Sequence, residues 1–195
     1  LVITGLATVL LAVAAGRLRV AMARRNVSRW RWMLFDTDFG FGLYDQRNLS
    51  HNMLEFLMHD VSNNWPNPAW ATFLFRKLAE NQDFNQALVN RFNDQLNSAL
   101  KPEPLLDVIQ RMEKRLEPEI LQHIRRWNII GSVSNWRSRV QEIKSFAENR
   151  QEHVREHLRG HFNLGSDYTL KVEISHPSHG YVKVNSLALQ KGIPG

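Results

Sequence analysis

The chain has 195 residues, 43% of them hydrophobic, which is enough to bury a core in one domain or slightly more. It contains no cysteine, which excludes disulfides, thiolate metal ligands and cysteine nucleophiles. The formal net charge is +6, and the excess lies in residues 1–35, which hold six arginines and no acidic side chain. The remaining 160 residues carry 19 basic and 19 acidic side chains. This distribution argues against a nucleic-acid partner, which would require basic residues spread over the fold.

Residues 1–26 form an atypical N-terminal segment. Its apolar run is broken by Arg17, which leaves it shorter than the about 20 residues of a membrane span. A signal peptide would place basic residues before the apolar run, and here they follow it. Three interpretations stay open: a buried element of a truncated domain, a membrane anchor, or an artefact such as translation out of frame. The short run disfavours a membrane partner, and the gene sequence would test the frame hypothesis.

Residues 27–35 are apolar and aromatic, which predicts a buried strand that ends at Asp36. A helix is predicted over 51–61, ended by the sequence NNWPNP. Asn67 and Pro68 are expected to form the N-cap and first turn of the next helix, because Asn caps well and Pro suits the first position. That helix is predicted to hold four apolar side chains: Trp70, Phe73, Leu74 and Leu78.

Three longer helices are predicted after residue 82. Asp83 and Gln86 resemble a capping box for a helix over 84–100, whose apolar stripe consists of Leu88, Phe92 and Leu96. Pro102 or Pro104 should begin another helix, which Pro118 interrupts and restarts. The longest periodic segment starts at Ser134 and is expected to end at Gly165.

The period of the sequence changes after Gly165. Residues 168–175 (YTLKVEIS) alternate between apolar and polar side chains, and 180–189 (GYVKVNSLAL) form a second run of the same kind. Two such runs joined by HPSHG predict a β-hairpin. The fold class expected from the sequence is therefore α+β and mostly α-helical, with a C-terminal hairpin that begins a truncated β-module over 166–195.

The stretch RWRWMLFDTDFGFG, residues 29–42, carries the candidate site. Asp36 and Asp38 would face the same side if the strand continued through Thr37, and paired carboxylates suit Mg²⁺ or Mn²⁺. Residues 38–40 also spell the kinase metal-binding tripeptide Asp-Phe-Gly. On residue types alone two readings stay open, because Asp-x-Asp at the end of a strand also serves as turn or cap chemistry.

The same stretch resembles the signature of the spore-coat CotH kinase family, Lys/Arg-Trp-x-Trp-apolar-apolar-x-Asp-x-Asp-Phe/Tyr-Gly/Ala-Phe. TFLFRKLAENQDFNQALVNRFNDQLNSAL, EPEILQHIRRW and the helix over 136–150 are similar to later family segments, as is the C-terminal Gly-Tyr-Val-Lys-Val-Asn. The resemblance runs from about Arg29 to the end of the chain. It implies that residues 27–165 form the C-terminal lobe of an atypical protein-kinase-like fold.

The resemblance also implies an activity, namely ATP- and Mg²⁺- (or Mn²⁺-) dependent phosphoryl transfer to serine of a Ser-rich secreted or coat protein. The protein would then act outside the cell, at the bacterial surface or in the spore coat. Asp36 and Asp38 occupy the family's metal–nucleotide position, and either can be the principal ligand. Family members also carry a catalytic Asp and a metal-binding Asn some twenty residues upstream, and a phosphate-binding lysine in the N-lobe.

This sequence has no acidic residue before Asp36 and no lysine before Lys77. We therefore expect the chain itself to be inactive. The alternative is a non-catalytic relative that binds nucleotide or protein as a structural component of the cell surface.

The eight histidines are candidate metal ligands. Spacing puts three of them on one charged helix face, for which a solvated face is favoured over a ligand row: His153, His157 and His161. His123, Arg126 and Trp127 match a family pattern, and a packing cluster between helices is favoured there over a phosphate contact. His51 and His59 flank an apolar helix, and structural roles are expected for both.

Overall fold

A computed structural model describes residues 40–41, 46–59, 62–64, 67–176 and 180–189. The described residues form five α-helices: α1 (Met53–Met58), α2 (Phe73–Ala79), α3 (Gln82–Leu96), α4 (Pro102–Trp127) and α5 (Val133–Phe162). A 3-10 turn over Gln46–Leu49 precedes them, and strands β1 (Val182–Val184) and β2 (Leu187–Leu189) follow. This mostly helical chain with a small antiparallel hairpin is consistent with the predicted α+β class. The predicted strand over 27–35, the segment 1–26 and the Asp pair lie outside the described residues.

The two longest helices, α4 and α5, form an antiparallel pair joined by a short connection. Asn128 ends α4 in the left-handed conformation with φ 48°, and Gly131 follows with φ 81°, a backbone angle that glycine adopts without strain. Ser132 then caps α5 by accepting a hydrogen bond from the Asn135 backbone N–H at 3.0 Å. The connection therefore reverses the chain within five residues.

Ion pairs fix the register of this helix pair. Arg137 of α5 contacts Glu117 of α4 at 2.7 Å, and Lys144 contacts Glu113 at 2.6 Å. The numbers rise along one helix as they fall along the other, as antiparallel packing requires. The Lys144–Glu113 pair is the better shielded from solvent, with side chains only 19% and 22% exposed.

Two separate hydrophobic clusters lie along α5. The N-terminal half of α5 packs on α4 through a small cluster of three buried side chains: Ile120, Trp136 and Val140. The C-terminal half packs against α1 and α3, and this larger cluster holds nine buried side chains: Met53, Leu54, Leu57, Phe84, Leu88, Phe92, Leu96, Val154 and Leu158. The predicted stripe of α3 is confirmed, because all three of its members lie in this core.

Pro118 does not divide α4 as predicted. The helix runs without a break from Pro102 to Trp127 and contains Pro118 in its interior. A proline there removes one backbone hydrogen bond. Its exposed position lets water solvate the freed carbonyl. The Glu113 and Glu117 ion pairs hold α4 on α5 before the proline, and Ile120 packs with Trp136 and Val140 after it. Tertiary contacts thus outweigh the local preference.

The predicted caps of α2 and α3 were wrong. Asn67 is buried six residues before α2 begins, and its side chain bridges the Phe56 carbonyl and the Thr72 hydroxyl. Thr72 holds the N-cap position of α2, and Trp70 is 80% exposed before the helix starts. Helix α3 is capped by Asn81, whose side chain accepts from the Phe84 N–H at 3.0 Å, and the helix ends at Leu96.

The end of α5 and the hairpin also differ from the prediction. Asn163, with φ 50°, closes α5 two residues before Gly165. Residues 168–175 form no strand, and Tyr168 is 91% exposed. The second run alone makes the hairpin, with Val184 paired to Leu187 across a two-residue turn at Asn185. An extended segment needs a partner to become a strand, and among the described residues 168–175 pair with none.

The hairpin is attached to α3 by a buried carboxylate. Asp94 of α3 is 3% exposed and accepts hydrogen bonds from the backbone N–H of Ser186, at 2.9 Å, and from its hydroxyl. Arg91, one turn earlier, donates to the same hydroxyl at 3.0 Å. The turn of the hairpin is therefore fixed on the helical body by charge-assisted hydrogen bonds.

Candidate functional site

The predicted ligands Asp36 and Asp38 lie outside the described residues, so the site is approached from the segment that follows them. Phe41, three residues after Asp38, has φ 57°, in the left-handed region that non-glycine residues seldom adopt. Its ring lies 5.6 Å from the ring of Phe146 in the middle of α5. Phe41, in the segment that follows the Asp-x-Asp motif, therefore packs on α5.

Arg150, one turn after Phe146, holds the next part of this segment. Its guanidinium donates to the carbonyl oxygen of Leu49 and, at 2.8 Å, to that of His51, and it lies 6.0 Å from the centre of the Phe146 ring. Burial lowers the pKa of Arg150 to about 10, which leaves the group charged at neutral pH. A half-buried cation with two backbone acceptors is an anchor for residues 49–51.

The next turns of α5 hold the C-terminal end of α3. Gln151 donates to the Leu96 carbonyl, and Arg155 donates to the Asn97 side-chain oxygen at 2.7 Å. These carbonyl and amide oxygens lie where a helix end leaves backbone acceptors without intrahelical partners. Residues 146–155 of α5 thus support both the segment after the Asp pair and the end of α3.

The histidine row of α5 does not form the solvated face that was favoured from the sequence. His153, His157 and His161 are each half-buried, and the rings of the first two stack at 6.4 Å. Burial lowers the pKa of His157, and the positive charge of Arg150 lowers it further. The sequence of α5 alone could not predict this burial, because the neighbouring side chains His51 and His59 come from the chain around α1.

His161 meets α1 directly. Its ring centre lies 5.7 Å from that of His59 and 4.7 Å from that of Phe162. Burial lowers the pKa of His161, the proximity of His59 lowers it further, and Glu55 opposes the shift. The potential ligand atoms of Glu55, His59 and His161 all lie within 4.8 Å of one another. Within the described residues this is the group of three side chains able to hold a metal ion.

His123, Arg126 and Trp127 do not form the predicted packing cluster between helices. All three are exposed at the end of α4, and Trp127 keeps 60% of its surface in solvent. The Arg126 guanidinium lies 5.4 Å from the centre of the Trp127 ring, a cation–π contact within the same helix. This end of α4 is a surface feature.

Sequence reasoning missed two residues that lie near distant parts of the chain, Arg150 and Glu55. Glu55 and His59 are four residues apart, a spacing that places both on one helical face and could have been noticed. Their partner His161 follows about a hundred residues later, and no local pattern links it to them. Arg150 carries no such signal, because its acceptors are backbone carbonyls.

The comparisons with known proteins give one family. Residues 18–154, more than half of the chain, match the family described as CotH kinase protein. The matched range includes the Asp-x-Asp motif, α1 to α4 and most of α5, and it ends before the hairpin. No curated protein and no solved structure is significantly similar to the chain. None of the described helices is both long enough and apolar enough to cross a membrane. The chain belongs to the CotH kinase family, a family of atypical kinase-like proteins.

Proposed function

We propose that this chain is the C-terminal lobe of a CotH-like protein kinase and that Asp36 and Asp38 hold the metal–nucleotide complex. The complete kinase would transfer phosphate from ATP to serine of a Ser-rich secreted or coat protein, at the bacterial surface or in the spore coat. The observation that carries the proposal is the family match over residues 18–154, which includes the Asp-x-Asp motif.

The donor set fits the proposed cofactor. Two carboxylates separated by one residue supply hard oxygen ligands, which Mg²⁺ and Mn²⁺ prefer, and both ions complete their shell with water and phosphate oxygens. The bound cation would neutralise charge on the phosphate oxygens, so the protein's own task is to position the nucleotide. Positioning the nucleotide requires a rigid support for the metal-binding segment more than it requires reactive side chains.

The middle of α5 supplies such a support. Three peptide units span at most about 11 Å, so a site that contains Asp38 must lie close to Phe41 and to the part of α5 beneath it. Phe146 contacts Phe41, and Arg150 binds the carbonyls of Leu49 and His51. We infer that α5 supports the segment that follows the Asp pair, with Arg150 acting as a positioning residue.

We also propose that these 195 residues do not transfer phosphate by themselves. The sequence offers no carboxylate before Asp36 to accept the serine proton and no lysine before Lys77 to hold the phosphates. Nucleotide binding and phosphoryl transfer are therefore separable properties.

The test measures the two properties in turn. Calorimetry on the 195-residue chain should show saturable ATP binding that requires Mg²⁺. Asp36→Asn or Asp38→Asn should weaken it by about tenfold or more, equivalent to ~1.4 kcal/mol. Asp107→Asn is the matched control, because this carboxylate pairs with Arg111 at 3.0 Å on an exposed face of α4. ATP binding that both site variants leave unchanged would overturn the assignment of the Asp pair.

The transfer measurement separates the kinase from the alternative, a non-catalytic nucleotide- or protein-binding relative at the cell surface. Radiolabelled ATP and a Ser-rich peptide should give no labelled product with the 195-residue chain. The protein encoded by the complete gene should give phosphoserine. Mg²⁺-dependent binding without transfer by that complete protein would favour the non-catalytic relative.

A further inference from the structure

The structure points to a second metal site, distinct from the Asp pair. We propose that Glu55, His59 and His161 bind a zinc ion that links α1 to the C-terminal end of α5. The proposal stands on the convergence of three ligand-type side chains from two elements that are about a hundred residues apart in sequence. It is independent of nucleotide binding and of phosphoryl transfer.

Helix geometry brings the first two ligands together. Glu55 and His59 lie at positions i and i+4, so their side chains project from the same face of α1. His59 is the C-cap of α1, and its backbone N–H still donates to the Glu55 carbonyl at 2.8 Å. The helical spacing is therefore maintained up to the residue that carries the second ligand.

The third ligand comes from α5. The rings of His59 and His161 have centres 5.7 Å apart, and the Phe162 ring packs edge-on against His161 with centres 4.7 Å apart. The larger hydrophobic core lies beside this contact, with Leu57 from α1 and Leu158 from α5 both buried in it. Core packing thus fixes the two backbones, and the ligands do not depend on the metal to bring them near one another.

The ligand atoms are near enough for small side-chain rotations to bring them to the separations of a bound ion. Zinc bonds of about 2.0–2.2 Å in a tetrahedral shell put neighbouring ligand atoms about 3.3 Å apart. The three potential ligand atoms lie within 4.8 Å of one another. Glu55 and His59 are exposed, so side-chain rotation alone can shorten the separations. A water molecule would complete the shell, since the protein supplies three ligands.

The ligand types select the ion. Two imidazoles and one carboxylate suit Zn²⁺, whereas Mg²⁺ and Ca²⁺ prefer shells made of oxygen. The Asp pair has the opposite preference, because it offers oxygen alone. The two sites should therefore be distinguishable by the metal each one takes, even in the same protein.

Zinc binding to the untagged, EDTA-treated chain tests the proposal. Titration with Zn²⁺ should show one saturable equivalent with a Kd below about 10 μM, and Zn²⁺ should raise the melting temperature where Mg²⁺ does not. His59→Gln and His161→Gln should each abolish that equivalent. The control His153→Gln, on the same face of α5, should retain it. Zinc binding that survives both ligand variants, or no saturable binding by the wild-type chain, would overturn the site.

A second variant guards against a folding defect in the His161 substitution. Glu55 is exposed, so Glu55→Gln should leave the fold intact and weaken Zn²⁺ binding by about tenfold. An unchanged zinc affinity in a folded Glu55→Gln protein would contradict the assignment of Glu55 as a ligand. ATP binding should be unaffected by any of these substitutions, so failure here leaves the kinase proposal standing.

Discussion

The two halves of α5 bury their apolar side chains against different partners. The N-terminal half pairs with one long helix and relies on a small cluster, with ion pairs along its edge. The C-terminal half lies against α1 and α3 and closes the larger core. A single helix can therefore be an exposed arm at one end and a central core element at the other.

Helix α4, the partner of the N-terminal half of α5, leaves much apolar surface in solvent. Of its 26 residues, Ile120 is the buried hydrophobic side chain, while several large apolar side chains keep two fifths or more of their surface in solvent: Val108, Met112, Leu116, Leu121 and Trp127. Because hydrophobic stabilisation follows the apolar area removed from water, α4 gains less from each side chain than α3 does. The difference predicts unequal effects for the same substitution.

The largest effect should come from truncating a leucine in the C-terminal core. Leu88 of α3 is 0% exposed, and Leu88→Ala should cost about 2–5 kcal/mol of unfolding free energy because it leaves a cavity. Leu116 of α4 is 49% exposed, and Leu116→Ala should cost below about 1 kcal/mol. Urea unfolding of both variants measures the contrast. Equal losses would mean that α4 buries more than the structure shows.

Removing the Arg150 anchor should have the next largest effect. Arg150→Ala deprives the carbonyls of Leu49 and His51 of a charged donor, which should cost about 1.5–3 kcal/mol. The matched control is Arg139→Ala in the N-terminal half. Its exposed guanidinium contacts Glu142 at 2.8 Å, and its loss should cost below about 1 kcal/mol. Thermal unfolding of both variants gives the comparison.

The loss of Arg150 should also have a local effect on hydrogen exchange. Hydrogen exchange at the backbone N–H groups of residues 55–59, which are hydrogen-bonded in α1, should accelerate in Arg150→Ala, since the segment before the helix loses its attachment to α5. Residues 134–140 should keep the wild-type exchange rate. Acceleration spread evenly over both regions would contradict the role of Arg150 as a local anchor.

The smallest effect concerns acidification. Burial, aided by Arg150, lowers the pKa of His157 in the folded state, so the unfolded chain binds a proton more readily. Other groups near His157 that act on its charge are His153, Glu156 and His51. The contribution of His157 to the free energy of unfolding should therefore be fully present above the unfolded pKa of about 6.5. It should decrease as the pH falls below that value.

The histidine prediction has a matched control in the other region. His157→Gln should flatten the loss of stability between pH 7 and pH 5, measured by urea unfolding in EDTA. His123→Gln, at the exposed end of α4, should leave the slope unchanged. A slope that His157→Gln does not alter would assign the acid sensitivity to other groups.

Helix periodicity was informative wherever one face is buried. The stripe of Leu88, Phe92 and Leu96 was predicted from spacing alone, and every member lies in the core. The start of α5 was predicted within one residue, because the periodic segment that begins at Ser134 marks it. The Asp-x-Asp motif and the family were also identified from sequence, since a signature of fixed residue types needs no coordinates.

Predictions failed where a distant contact outweighed a local preference. Asn67 is a residue type that favours helix caps, yet its buried side chain hydrogen-bonds to the Phe56 carbonyl and the Thr72 hydroxyl instead. Residues 168–175 alternate like a strand, yet alternation supplies no partner for their backbone. Pro118 should interrupt a helix, yet α4 continues, because ion pairs hold it on α5 before the proline and Ile120 packs against α5 after it.

By itself the sequence determined the family, the mostly helical composition and the presence of the Asp-x-Asp motif, because each depends on local residue types and their spacing. Only the tertiary structure decided which half of α5 is core and which side chains meet across the chain. The convergence of Glu55, His59 and His161 depends on the packing of α1 against α5. Contacts between residues a hundred positions apart leave no periodic trace in either segment.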